Sequence, residues 1–189
     1  MHGYPTNMNS EYLKYLRLTL ALHIMLKQGK GESAEADLLR EEVLPTWARL
    51  TEHERERLNG LSADLYVLEG DEMHVHADPA DRTRGRFGPR FKAAWGRQDW
   101  DEVLKLLRIG PDFLGQDVIA YLRGRCWQEL GQPDVAFLFF DHAGKLNPQR
   151  VGYHVLALEE LTKYGNPDEI VQRASIYMDQ EDSHLAHLV

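Results

Sequence analysis

The chain has 189 residues, 43% of them apolar and 28% charged, with 30 acidic and 22 basic side chains and a formal net charge of −8. That is enough for one or two domains with a real core, and the acidic balance lacks the basic excess that nucleic-acid binding draws on. The longest mostly apolar stretch, residues 16–26, is too short to cross a bilayer and holds Arg17 and His23, and the single cysteine, Cys126, excludes an intramolecular disulfide framework, so a reducing cytoplasm is the expected location.

Apolar residues recur at spacings of three and four, and no stretch alternates apolar and polar residues as a half-buried strand would. The expected fold class is therefore all-α. Ser10 is the predicted N-cap of a first helix carrying Leu13, Leu16, Leu20 and Ile24, which ends near Gly29 and Gly31. Its apolar coverage is wide, as in a helix at the centre of a bundle or buried against a second copy. Ser33 is placed to cap a second helix through Leu39, Val43 and Leu44, with Pro45 expected to kink it or to begin a separate turn. Thr51 and Glu54 have capping-box spacing, the hydroxyl accepting from the Glu54 N–H and the carboxylate from the Thr51 N–H. A third helix follows through Leu58, Leu61, Leu65 and Leu68, and Asn59-Gly60 is a candidate break within it.

Composition changes at Gly70. Four acids (Asp71, Glu72, Asp78, Asp81) precede four arginines (Arg82, Arg84, Arg86, Arg90), with Pro79, Gly85, Gly88 and Pro89 among them and little apolar periodicity. The predicted organisation is an N-terminal helical region over 1–70, a linker or long loop over 71–90, and a helical repeat region over 91–189.

Three segments of that last region align on a polar turn between apolar helices, with Gln98, Gly131 and Gly165 in the same place. A period near 34 of this kind is a helix–turn–helix repeat. In the central unit, residues 117–148, Gly124 stands as the small residue of the first helix and Trp127 as its large aromatic. Gly131 is at the polar turn, and the small Ala136, the bulky Phe140, the small Ala143 and Pro148 follow it in that order. Small residues let two antiparallel helices cross closely, and large ones fill the gap to the next pair.

In that pattern, residues 91–178 resemble tetratricopeptide repeats, with the flanking units more degenerate than the central one. The first has Val103 at a small-residue position and a short opening helix around Phe91 to Trp95, beginning after Pro89; the third has Leu158, Ile170 and Leu161 at the small and aromatic positions. The resemblance implies an α-solenoid of about three helix pairs whose first helices line a groove for a protein or peptide partner. Carried onto this sequence, it places Lys92 and Trp95, then Val118, Tyr121, Arg125, Gln128 and Glu129, then Val155, Glu159, Thr162 and Lys163 on or near that groove. Lys92, Tyr121, Arg125, Gln128 and Glu159 are the predicted contact residues. Gly88, Tyr121, Val155 and Glu159 occupy places where the co-chaperone subgroup clamps a carboxylate, so no such clamp is expected. In outline the chain is also similar to small acidic repeat chaperones of bacterial secretion systems, which place helices before three repeats and often dimerise through them.

The expected function is thus non-catalytic: an adaptor or small chaperone, with no cofactor and no membrane, and with residues 12–26 open to homodimer formation. Two alternatives are visible. His74, His76 and Asp78 have the spacing of part of a metal-dependent hydrolase site, although Pro79 follows where a further histidine would be needed. The Arg82-Arg90 cluster, interleaved with Phe87, is the one basic stretch suited to nucleic acid. Glu181 and His184 have di-iron spacing, but the motif occurs once. Cys126, inside the first helix of the central repeat, is expected to be structural. No phosphate-cradling glycine motif occurs.

Overall fold

The structure, a computed structural model, describes residues 9–68 and 78–186, with side chains as far as Asp179. It is all-α among these residues, and the chain divides into two compact units, Met1–His74 and Val75–Val189.

The first unit contains α1 (Ser10–Lys27), α2 (Ala34–Ala48) and α3 (Glu52–Leu68). Asn9, not Ser10, caps α1: its Oδ1 accepts from the Glu11 N–H at 3.1 Å, so Ser10 becomes the first helical residue. Ser33 caps α2 through the Ala36 N–H at 3.2 Å. The Thr51–Glu54 box closes both ways, with the Thr51 N–H donating to Glu54 Oε2 at 2.8 Å and the Glu54 N–H to Thr51 Oγ1 at 3.3 Å. Neither helix ends at its candidate break: α2 continues through Pro45 and α3 through Gly60. Pro45 and Glu41, the residue four before it, are both exposed, so the carbonyl deprived of its helical donor can meet water. Gly60 is buried within an unbroken α3, where packing outweighs a propensity cost of about 1 kcal/mol. α1 packs against both α2 and α3. Tyr12, Leu16 and Leu20 of α1 and Leu58, Leu61 and Leu65 of α3 are buried in this unit, so the wide apolar face of α1 is used largely as a bundle centre.

In the second unit a 3-10 turn, Pro79–Arg82, leads into α4 (Arg84–Gly96). This helix begins well before Pro89, whereas residues up to 90 were expected to be loop. The residue four before Pro89 is the exposed Gly85, which again leaves the unpaired carbonyl at the surface. Phe87 anchors the new turns, 2% exposed and 5.4 Å and 5.5 Å from the rings of Phe91 and Phe113. Ring contacts continue from Phe91 to Trp95 and from Trp95 to Trp100 at the start of α5 (Trp100–Arg108).

Beyond these lie α6 (Gln116–Glu129), α7 (Pro133–Leu146), α8 (Val151–Leu161) and α9 (Pro167–Ala186), each packed chiefly on its neighbours in the chain. Trp127, Ala136, Phe140 and Ala143 are fully buried. Gly124 admits the Phe140 ring so closely that a Cβ there would lie 2.6 Å from Cε1. Of the three aligned turns, Gln98 and Gly131 share a left-handed backbone, with φ of 58° and 72°, while Gly165 does not. Gln98 is the one non-glycine residue with positive φ among those described.

α6 and α8 run parallel, as do α7 and α9. Tyr121 meets Tyr153 and Gln128 meets Glu160, both contacts joining residues 32 apart on α6 and α8. Arg173 lies over the Phe137 ring and Tyr177 bonds Asp141, both joining residues 36 apart on α7 and α9.

Candidate functional site

The predicted contact residues Tyr121, Arg125 and Gln128 stand at spacings of four and three, and so on one face of α6. All three are half-buried. The Tyr121 ring lies 5.4 Å from Tyr153 and 6.0 Å from Phe140, so its position is set by the packing beneath it. Arg125 reaches Glu129 on its own helix at 3.4 Å. That exposed pair is worth at most a few tenths of a kcal/mol, roughly the value of an i,i+4 pair, and leaves the guanidinium available to a better carboxylate.

Gln128 donates through Nε2 to Glu160 Oε1 on α8. Glu159 is exposed, and its main-chain oxygen accepts from Thr162 Oγ1 at 2.7 Å. Glu160, with its side chain 1% exposed, takes the bond from Gln128 and two from Lys163 Nζ at 2.6 Å and 2.7 Å. A buried carboxylate is tolerable only with such partners. Glu159 keeps a different position: with Val151 and Val155, four residues apart, it forms an exposed row along α8. Val155 is 48% exposed. Lys92, on α4, is exposed and has no hydrogen bond or ion pair to the others among the described residues. Trp95 is half-buried in the aromatic row along α4.

Two polar networks escaped sequence reading. At the entry to α6, Asp117 accepts from Asn147 Nδ2 at 3.0 Å and from the Tyr153 hydroxyl at 3.3 Å, and Arg150 donates to that hydroxyl at 2.9 Å. Burial pushes the Asp117 carboxyl up, but these bonds and that of the Val118 N–H together hold it below the usual carboxylate range. Between α7 and α9, the buried Asp141 accepts from the Tyr177 hydroxyl at 2.6 Å and pairs with Lys145 at 2.7 Å and Arg173 at 3.6 Å. Burial raises this carboxyl too, and its three partners more than reverse the effect. The one sequence signal was an acid next to a core residue, Phe140, with Lys145 four residues on.

The alternative sites fare differently. His74 and His76 lie outside the described residues. Asp78 caps the 3-10 turn through the Ala80 N–H at 2.9 Å and lies 3.7 Å from Arg86. Arg86 is also 3.6 Å from Asp81, Arg90 is 3.4 Å from Glu102, and Arg84 lies over the Phe113 ring. Phe87 is core and cannot stack on a base. The basic run therefore has much of its charge met by neighbouring acids, which weakens its field toward a phosphate backbone. Cys126 is fully buried in α6. Among the described residues no three His, Cys, Asp or Glu side chains gather as a metal site requires, and no helix is long and apolar enough to cross a membrane. No protein-family model, no curated protein and no solved structure matches the chain.

Proposed function

We propose that this protein is a non-catalytic interaction module in which tetratricopeptide-like helix pairs of the second unit bind a peptide or protein segment. The observation that carries this reading is the parallel, in-register pairing of α6 and α8 at an offset of 32, beside the α7–α9 pairing at 36. Those offsets bracket the sequence period near 34. The close approach of Gly124 and Phe140 supports the same reading, since it lets α6 and α7 cross as a tight pair.

The proposed contact surface is the row of Tyr121, Arg125 and Gln128 on α6 together with Val151, Val155 and Glu159 on α8, and Lys92 on α4 is the further contact residue that the repeat pattern assigns to it. Tyr121 and the valines offer apolar contact, and Arg125 a two-pronged donor for a carboxylate. Helices held by Glu160, Asp117 and the buried aromatics reorganise little on docking, which lowers the entropic cost of binding. An adaptor or small-chaperone role in the cytoplasm follows from that reading, and self-association through the exposed Ile24 and Leu26 of α1 is its further expectation.

The experiment is selection of ligands from a displayed peptide library, followed by affinity measurement on Val155→Asp and Arg125→Gln variants. Both sites lie at or near the surface, so the fold should survive. A selected peptide that loses at least tenfold in affinity to both variants supports the proposal; one indifferent to both overturns it.

A further inference from the structure

The first unit contains a cavity of about 350 Å³ that the interaction reading does not use. Its origin is topological. α2 and α3 are joined by a short connection and both pack on α1, yet they make little contact with each other, so they leave a cleft with α1 as its floor. Tyr15, Thr19, Leu22 and Leu26 stand at helical spacing along that floor, with His23 beside them. Arg40 and Val43 of α2 face Ser62, Leu65 and Tyr66 of α3 across it. Leu65 and His23 are buried, while Leu26 and Tyr66 at the rim remain 44% and 43% exposed. A cleft of this size, lined by apolar and polar surface in about equal parts, has the character of a small-molecule site that pairs ring contact with hydrogen bonding, and is too small for a docked helix.

The charges of the wall restrict the ligand. Among the described residues no carboxylate lines the cavity to attract a cation. Arg40 is the one formal cation among the described lining residues, but its Nη1 is 2.8 Å from Asp37, its Nη2 donates to the Gly31 carbonyl at 2.6 Å, and Glu32 lies 4.0 Å away. An anion would have to compete with those carboxylates. Burial, and after it the nearby Lys27 charge, lower His23 to about 4, so its imidazole is uncharged at neutral pH. Ring-bearing residues (Tyr15, His23, Tyr66) alternate with Leu22, Val43 and Leu65 around the space.

From this geometry we infer that the cleft between α2 and α3 binds a small, uncharged aromatic molecule bearing a hydroxyl or similar hydrogen-bonding group. The site is independent of the α6–α8 face and stands or falls separately.

The test uses the full chain and three probes at neutral pH: 2-naphthol, the anion 2-naphthoate and the cation naphthylmethylammonium. Binding is followed through the His23 ring and Leu65 methyl resonances. Saturable shifts at both residues with 2-naphthol, and at least tenfold weaker binding of the two charged probes, are expected. Val43→Phe and Ser62→Phe, which fill the cavity from opposite walls, should each weaken 2-naphthol at least tenfold while the helical circular dichroism is retained. If one of these fails to fold, the charge series on the unmodified chain still decides. Absence of saturable shifts at His23 and Leu65, or equal affinity for the neutral and charged probes, would overturn the assignment.

Discussion

The packing of α6 on α7 predicts opposite outcomes for one chemical change made in two helices. At Gly124 an added Cβ would lie 2.6 Å, 2.7 Å and 3.1 Å from three carbons of the Phe140 ring, which is itself fully buried and has no free space to enter. Overpacking of this kind costs about 1–3 kcal/mol, and three close ring atoms place Gly124→Ala in the upper part of that range. Replacing a helical glycine by alanine returns about 1 kcal/mol. The net expectation is a loss of about 1–2 kcal/mol. At Gly152, near the start of α8, an added Cβ meets nothing within 4 Å, so Gly152→Ala should gain about 0.5 kcal/mol from the reduced freedom of the unfolded chain. Urea unfolding followed by tryptophan fluorescence reads both, because Trp127 is buried on α6. With a slope of about 2 kcal/mol per molar, the Gly124→Ala midpoint should fall by roughly 0.5–1 M. Adding Phe140→Leu, which shortens the obstructing side chain, should recover part of the loss, giving a favourable coupling in the double-mutant cycle. If Gly124→Ala stabilised the protein as Gly152→Ala should, the close helix crossing would be refuted.

Three further outcomes follow. Gln98→Gly should stabilise the second unit by about 0.5–1 kcal/mol, because a left-handed backbone costs a residue with a Cβ about 1–2 kcal/mol and glycine's greater unfolded freedom offsets only part of that; an unchanged or lowered unfolding midpoint would contradict it. His23 is held near 4 in the folded chain against an ordinary 6.5, so between those values the unfolded state binds more protons and stability should decline as pH falls from about 6.5 to about 4. In His23→Asn that part of the stability–pH curve should flatten, and an unaltered slope would refute the assignment. Tyr177→Phe should cost about 1.5 kcal/mol at pH 7, the low end for a bond to a charged group, since Asp141 keeps Lys145 and Arg173. The Asp141 carboxyl is held below its unfolded value, so its contribution is present above that value and lost as pH falls through the lower one. The cost of Tyr177→Phe should therefore shrink in acid, and a pH-independent difference would count against the network.

Local chemistry was the most legible part of the sequence. Ser33 and the Thr51–Glu54 box cap their helices as read, because donor and acceptor lie within three residues of each other. The turn alignment was legible for a similar reason: Gln98 and Gly131, 33 residues apart, adopt the same left-handed geometry although only one is glycine. Tertiary effects were harder to see. Proline and glycine argued against helix before Pro89, but burial of Phe87 against Phe91 and Phe113 decided otherwise. On α8 the burial of Glu160 beside the exposed Glu159 was not legible, since only the approach of Gln128 from α6 shows which of the two carboxylates is buried. Asp141 depends on Tyr177 and Arg173, each more than thirty residues away, so its neighbours in sequence hardly announce it. The cleft over α1 left no sequence trace, because it arises from the divergence of two helices rather than from a motif.

The central claim is that the α6–α8 face receives a partner segment. Its most direct test is photo-crosslinking of a library-selected peptide to protein carrying a benzophenone side chain at Val155, on that face, or at Val171, a still more exposed apolar position on α9. Crosslinks confined to position 155, and suppressed by excess unlabelled peptide, are the predicted result. Crosslinks at position 171 with none at 155 would contradict the claim and place the working surface on the last helix.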